Sequence, residues 1–335
     1  MYDHDIALDW AQSVMAVARM TAKGKRLQEF EAKSNISDLK AFLKSLKGTK
    51  RLTFEESTAS QWLYTELYDA VDKVIVCDPR RNDLLKEGPK TDRIDARKLL
   101  TLLRADLLKE VHHSTHEFIY MRKVVSGYLD LVNSGVRLKN QRSALMRAFG
   151  KAKTETEIDE QAAQFVLLGQ DDGIEAYEIQ KKRYESEFSR LCKKHKMLNN
   201  LKSCPGLKEI GAVKVAAAVV DPRRFSTRGK FLAYCGLVKY EKLSGGRSYG
   251  KIRTNYNRTL KNVFDTAAVA CIQASESNLL RRDYEYLIKE KRLADHNARH
   301  AIARKAATIA WGVMKSGKKF DINKRRKDQS ETKQK

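Results

Sequence analysis

The chain has 335 residues, 42% of them apolar, enough for two or three domains with hydrophobic cores of their own. Lysine and arginine outnumber aspartate and glutamate by 66 to 42, a formal net charge of +24 that would repel itself in a compact fold unless a polyanion neutralised part of it. Nucleic acid fits that excess best, because each phosphate contact releases counterions, and no apolar run approaches the ~18 residues that a membrane-spanning helix needs.

The opening residues, Met1 to Asp5, are acidic and do not read as a secretory signal. Short apolar runs predict strands over 5–10 and 14–20, a turn at Ala22-Lys23-Gly24-Lys25, and a third strand over 26–32. Ser37 is placed to cap a helix whose one face carries Leu39, Phe42, Leu43 and Leu46. A strand over 51–56, a helix over 61–71 and a strand over 73–77 follow. Three consecutive strands, then strands alternating with helices, is the order of a ribonuclease-H-like sheet, an order that other α/β folds share.

From Pro89 to Pro205 there is no proline, and the pattern is helical. A helix is predicted over 92–111, with Leu99, Leu100, Leu103 and Leu107 on one stripe. A second, over 116–149, has Arg122, Lys123, Arg137, Lys139, Arg142 and Arg147 as its polar surface. Tyr177, Tyr184, Leu191 and Leu198 recur every seven residues, flanked by Ile174 and Phe188. Lys181 and His195 interrupt the second apolar row, so this short coiled-coil seam suits either a dimer contact or an intramolecular hairpin.

A second globular part begins near Leu201. Cys204-Pro205-Gly206-Leu207, then Gly211 and the apolar run 213–220, resembles a helix-hairpin-helix that would offer backbone amides to a DNA phosphate; a plain turn between packed helices fits equally. Ser244-Gly245-Gly246-Arg247-Ser248-Tyr249-Gly250 reads as a flexible glycine-rich loop, helices follow over 260–274 and 301–314, and 315–335 is a lysine-rich polar tail expected to be disordered. The cysteines, Cys77, Cys192, Cys204, Cys235 and Cys271, are odd in number and far apart, which predicts free thiols in a reducing cytoplasm rather than disulfides or a zinc site.

Asp9 ends the first strand in an otherwise apolar setting, and Glu55 and Glu56 end the fourth. Asp92 and Asp95 open a helix at i, i+3 spacing, on one face. Singly, each has an ordinary explanation: a strand-end turn residue for Asp9, complements to the helix dipole for Asp92 and Asp95. On a ribonuclease-H-like sheet they converge at one end, where four carboxylates would repel one another without a hard cation such as Mg²⁺ or Mn²⁺.

Leu8-Asp9-Trp10-Ala11, Phe54-Glu55-Glu56-Ser57-Thr58 and Lys90-Thr91-Asp92-Arg93-Ile94-Asp95-Ala96-Arg97 resemble the DEDD motifs of the insertion-sequence transposases related to Piv-type DNA invertases, which are similar to bridge-RNA-guided recombinases. Ser203-Cys204-Pro205-Gly206-Leu207, Phe231-Leu232-Ala233-Tyr234-Cys235-Gly236-Leu237 and Ser244-Gly245 before Gly250 resemble that family's later segments. The sequence departs from the family at Ala7, where Gly is usual, at Glu56-Ser57-Thr58-Ala59, where Glu-Ala-Thr-Gly is usual, and at Thr254-Asn255-Tyr256-Asn257-Arg258, a shortened stretch.

The resemblance implies an α/β plus α protein: a RuvC-like (RNase H fold) domain over 1–111, a helical coiled-coil linker and oligomerisation region over 112–200, a mostly α-helical C-terminal transposase domain with a catalytic-serine loop over 201–316, and a basic tail over 317–335. It implies metal-binding Asp9, Glu56, Asp92 and Asp95, with Glu56 chosen over Glu55 by the Ser57-Thr58-Ala59 that follows it, and a nucleophilic Ser244, with Ser248 its nearest rival. Mg²⁺ or Mn²⁺ as cofactor, donor and target DNA, a structured guide RNA, a homo-oligomer (dimer or tetramer) and a nucleoid-associated bacterial location complete the expectation. Arg93, Arg97, Lys98, Arg122, Arg137, Lys139, Arg142, Arg247 and Lys251 are the candidate nucleic-acid contacts. The other readings of the same residues are a RuvC-type hydrolytic nuclease, in which Ser244 is idle, and a non-catalytic nucleic-acid-binding protein.

Overall fold

A computed structural model describes residues 2–24, 27–79, 91–113, 118–252, 255–274 and 278–321. The chain divides into two units, one within 1–116 and one within 117–335. The expected organisation has boundaries at 111, 200 and 316.

The first unit is a five-stranded sheet in the order β3-β2-β1-β4-β5. Strands β1 (His4–Trp10), β2 (Val14–Thr21) and β3 (Leu27–Lys33) are antiparallel, whereas β4 (Lys50–Glu55) and β5 (Lys73–Cys77) run parallel to β1. This arrangement is consistent with a ribonuclease-H-like sheet. Strand alternation sends Ile6, Leu8, Leu52, Phe54, Val74 and Val76 to one face, where helices α1 (Ile36–Ser45) and α2 (Ser60–Leu67) cover them. The other face is lined by small residues, Ala7, Ala16 and Ala18, which let helix α3 (Asp92–Arg104) pack closely through Ala96, Leu99 and Leu100.

Two expectations here are corrected. Asn35, not Ser37, caps α1: its side chain accepts from the amides of Ser37 (2.9 Å) and Asp38 (3.4 Å), because the helix already starts at Ile36. Helix α3 stops at Arg104 rather than at 111. Asp106 adopts a left-handed conformation (φ 52°), Leu107 turns outward, and the chain then lies antiparallel along the edge of β5. There Val111 N–H donates to Val76 O (2.7 Å) and Asp78 N–H to Lys109 O (3.1 Å), so the segment supplies partners that an exposed sheet edge would otherwise lack.

In the second unit, α4 (Phe118–Ala148) and α5 (Gln161–Lys194) form a long antiparallel hairpin. The heptad seam is used inside this chain. Tyr177 lies against Gly135 and Tyr184 against Gly127, positions where any side chain would collide with the ring, and Leu191 and Leu198 enter the C-terminal core. That core also holds α6 (Lys196–Leu201), α7 (Glu209–Val219), α8 (Arg228–Tyr234), α9 (Arg258–Gln273), α10 (Leu279–Lys289) and α11 (Asp295–Ser316) around Phe188, Phe231 and Phe264. The base of the hairpin shares it through Met121, Val125 and Tyr128.

The segment expected to be a loop is instead a β-hairpin of β6 (Tyr240–Ser244) and β7 (Arg247–Ile252). Gly245 (φ 55°) and Gly246 (φ 76°) form its two-residue turn, whose positive φ values match the twist of the strands. The tail begins later than 317. The Gly317 carbonyl accepts from Asn200 Nδ2 and Phe320 N–H donates to Ser203 Oγ, both at 2.7 Å; positions 322–335 lie outside the described residues. All five cysteines are buried free thiols, and among the described residues no helix is long and apolar enough to cross a membrane.

Candidate active site

The parallel pairing of β1 with β4 sets the acidic end of the first unit. Leu8 lies beside Phe54 in that register, so the next residues, Asp9 and Glu55, continue on the α3 face of the sheet. Thr91 caps α3 by accepting from the Ile94 amide (3.3 Å), and this start places Asp92 and Asp95 in the first turn over the same end. Burial, with the charges of Asp92, Asp95 and Glu55, pushes the Asp9 carboxyl up to about 6.

Of the two glutamates, Glu55 is the one whose charge acts on Asp9. Glu56 is the first residue past the strand, is exposed, and donates its N–H to Cys77 O (2.9 Å). The motif points to Glu56, while strand alternation at the end of β4 puts Glu55 on the face of Asp9. Asp95 Oδ1 is buried and accepts no hydrogen bond, and Lys98 Nζ lies 4.0 Å from it. Among the described residues, no three carboxylate, imidazole or thiol groups stand close enough together to cage a metal ion. Even so, the donor set suits a hard divalent cation: oxygen ligands only, one of them orphaned in the protein, and one carboxyl raised by burial and by its like-charged neighbours. The residues that would hold it are Asp9, Asp92, Asp95 and a β4 glutamate.

Sequence reasoning missed a second charged cluster in this unit. Asp5 is buried on the α3 face two pleats before Asp9, and its carboxylate accepts from Arg51 Nε (2.9 Å) and Arg104 Nη1 (3.4 Å). Arg104 also donates to the carbonyls of Thr21 (2.9 Å) and Ala22 (3.3 Å), tying the C-terminal end of α3 to the β2 turn. An aspartate inside an apolar strand, with arginines on two other elements, was the only signal available.

Ser244 belongs to the second unit, at the exposed end of β6, with Arg247 as its cross-strand partner; Ser248 pairs with Leu243 instead. The Cys204–Leu207 turn is a packing element. Gly206 (φ 76°) approaches α9 so closely that a Cβ would strike the Ala267 carbonyl oxygen, and Cys204 and Leu207 are buried.

The nine candidate nucleic-acid contacts divide. Arg122 donates through Nε to Ala217 O (3.1 Å), and Arg142 joins Asp171 and the carbonyls of Lys153 (2.7 Å) and Glu155 (2.8 Å), so both hold the helical hairpin in place. Lys139 pairs with Glu178 (2.6 Å), Arg97 forks onto Glu29, and Arg93 lies 3.8 Å from Glu31. Lys98 sits beside Asp95 as described above. Arg137, Arg247 and Lys251 are exposed.

A five-stranded mixed sheet with an acidic end, followed by a helical unit carrying an exposed serine hairpin, is consistent with a DEDD transposase. Comparison with known families agrees: residues 6–150 match the DEDD transposase family of the IS110 type, and residues 198–285 match the family described as "Transposase IS116/IS110/IS902 family". The chain therefore carries the two domains of IS110-family transposases. A relative from Sinorhizobium fredii (strain NBRC 101917 / NGR234), named "Putative transposase y4pF/y4sB", is 26% identical over 158 residues, 47% of this chain; the match covers 40% of that protein's length.

Proposed function

We propose that the chain is the transposase of an IS110-family insertion sequence, exchanging DNA strands through a covalent phosphoserine link. The observation that carries this reading is the gathering of Asp9, Asp92, Asp95 and Glu55 at one sheet end of a strongly basic chain that also holds the family's serine segment as an exposed hairpin. A divalent cation bound by these carboxylates would neutralise charge on the scissile phosphodiester. Ser244 Oγ attacks phosphorus; the P–Oγ bond forms as the bond to the 3′ oxygen breaks. The proton lost by the serine is balanced by the one taken up on the departing 3′ oxygen. A free 3′ hydroxyl then attacks the phosphoserine of another strand, which conserves the number of phosphodiester bonds. Exchange between two DNA segments needs at least two serines, hence a homo-oligomer, and target choice is assigned to a structured guide RNA. The RuvC-like reading of the first unit belongs to the same proposal.

The test is a search for protein covalently attached to DNA under denaturing conditions, in cells that carry the native flanking element. Wild type is expected to show an adduct that Ser244→Ala lacks. Nicking without any adduct would favour the hydrolytic nuclease.

The two glutamates give a second test. Glu55→Gln is expected to lower cation-dependent cleavage by at least about a hundredfold, and Glu56→Gln by less than about tenfold. The reverse ranking, measured on the same substrate, would return the ligand role to Glu56.

A further inference from the structure

The register of the serine hairpin sorts its residues onto two faces. Regular alternation along β6 puts Tyr240, Lys242 and Ser244 on one face and Glu241 and Leu243 on the other. Cross-strand partners share a face, so Arg247 joins Ser244, Ile252 joins Tyr240, Ser248 joins Leu243 and Lys251 joins Glu241. Between Ser248 and Lys251, β7 has two residues where β6 has only Lys242, and Gly250 there has φ 94°. This is a β-bulge. It leaves Tyr249 on the Ser244 face and sends Lys251 to the back, where plain alternation would have put Tyr249 and Lys251 together.

The Ser244 face therefore interleaves two aromatic rings and two cations with the serine: Tyr240, Lys242, Ser244, Arg247 and Tyr249. Tyr249 is 64% exposed and Tyr240 43%, and neither ring has a stacking or cation partner among the described residues. An exposed tyrosine that only stabilised the hairpin would lie over a cross-strand neighbour. Rings left open between cations form the platform on which single-stranded nucleic acid stacks.

We propose that this face is a single-strand DNA platform. Tyr249 stacks on a base beside the scissile phosphate, while Lys242 and Arg247 bind the phosphates that hold the strand in register with Ser244. The bulge at Gly250 is the device that aims Tyr249 at that strand. This inference rests on the proposed serine chemistry, but its test requires no cleavage.

The full chain is titrated with a short single-stranded DNA of mixed sequence carrying 2-aminopurine, over a series of salt concentrations. Tyr249→Leu is expected to weaken binding about five- to one-hundred-fold with no change in salt slope, and Tyr249→Trp to restore it. Lys242→Gln is expected to flatten the salt slope by about 0.7. Wild-type affinity in Tyr249→Leu, or a Trp variant no better than the Leu variant, would overturn the stacking role. Tyr249 dependence seen only with RNA of the same sequence would overturn the DNA assignment. Tyr249-dependent binding in a protein that never forms an adduct would refute the serine chemistry and leave the platform standing.

Discussion

Asp9→Asn is expected to make the metal-free protein more stable while abolishing its activity. Asp9 is held ionised at neutral pH against burial and three like-charged neighbours, and its carboxyl is raised to about 6 from an ordinary 3.8. The native state therefore binds this proton more tightly than the unfolded chain, and stability is lost as pH rises from about 4 through 6. Above that window the loss is roughly 1–3 kcal/mol, the lower end allowing for solvent screening of a half-buried group. In urea titrations without divalent cation, wild type and Asp9→Asn should be nearly equal at pH 4, with the variant ahead at pH 7.5. Millimolar Mg²⁺ or Mn²⁺ should then raise the wild-type midpoint more than the variant's, because the cation binds only the folded carboxylates. A variant less stable than wild type at pH 7.5 would show that Asp9 is an ordinary strand-end residue. Equal cation responses would remove it from the metal site.

Asp5→Ala is expected to destabilise the first unit by about 3–5 kcal/mol, the usual effect of removing one partner from a buried ion pair and leaving the other uncompensated. The Arg51 and Arg104 guanidiniums both converge on this carboxylate, and Arg51 also pairs with Asp106 just past α3. The cluster fastens β1, β4 and the end of α3 to one another, so its loss loosens the helix whose first turn carries Asp92 and Asp95. Replacing Asp5 and Arg51 together with leucine and methionine should recover part of the loss, since it removes one of the two stranded charges and leaves Arg104 on the Thr21 and Ala22 carbonyls. The midpoint of urea unfolding of the intact chain, followed by tryptophan fluorescence from Trp10 and Trp62, reads both changes. A loss below about 1 kcal/mol for Asp5→Ala would mean that water reaches the cluster.

Much of the first unit was legible because its strands have short-range causes. Alternating apolar residues, Gly24 in the β2–β3 turn and Asp92 and Asp95 after a capping Thr91 all act within a few neighbours. Where local signals were overruled, a distant partner was responsible. Leu107 continues the leucine stripe of α3, but the open edge of β5 draws 109–111 out of the helix. Glu56 has the better motif context, while Glu55 has the face, and the face depends on the register with β1. Lys251 is a candidate nucleic-acid contact by its place just after the serine segment, and a single bulge sets it on the face away from Ser244. The heptad through Tyr177 and Tyr184 was equally suited to a second chain or to α4, until Gly127 and Gly135 provided the gaps that receive those rings.

By itself, then, the sequence determined the strongly basic charge, the order of elements and the acidic and serine motifs, because charge, periodicity and short motifs are properties of neighbouring residues. Only the tertiary structure decided which glutamate shares a face with Asp9, which arginines bind the protein's own carbonyls, and which side chains stand beside Ser244. Those outcomes depend on strand register and helix packing between residues far apart in the chain, and a shift of one residue in register reverses every side chain on a strand.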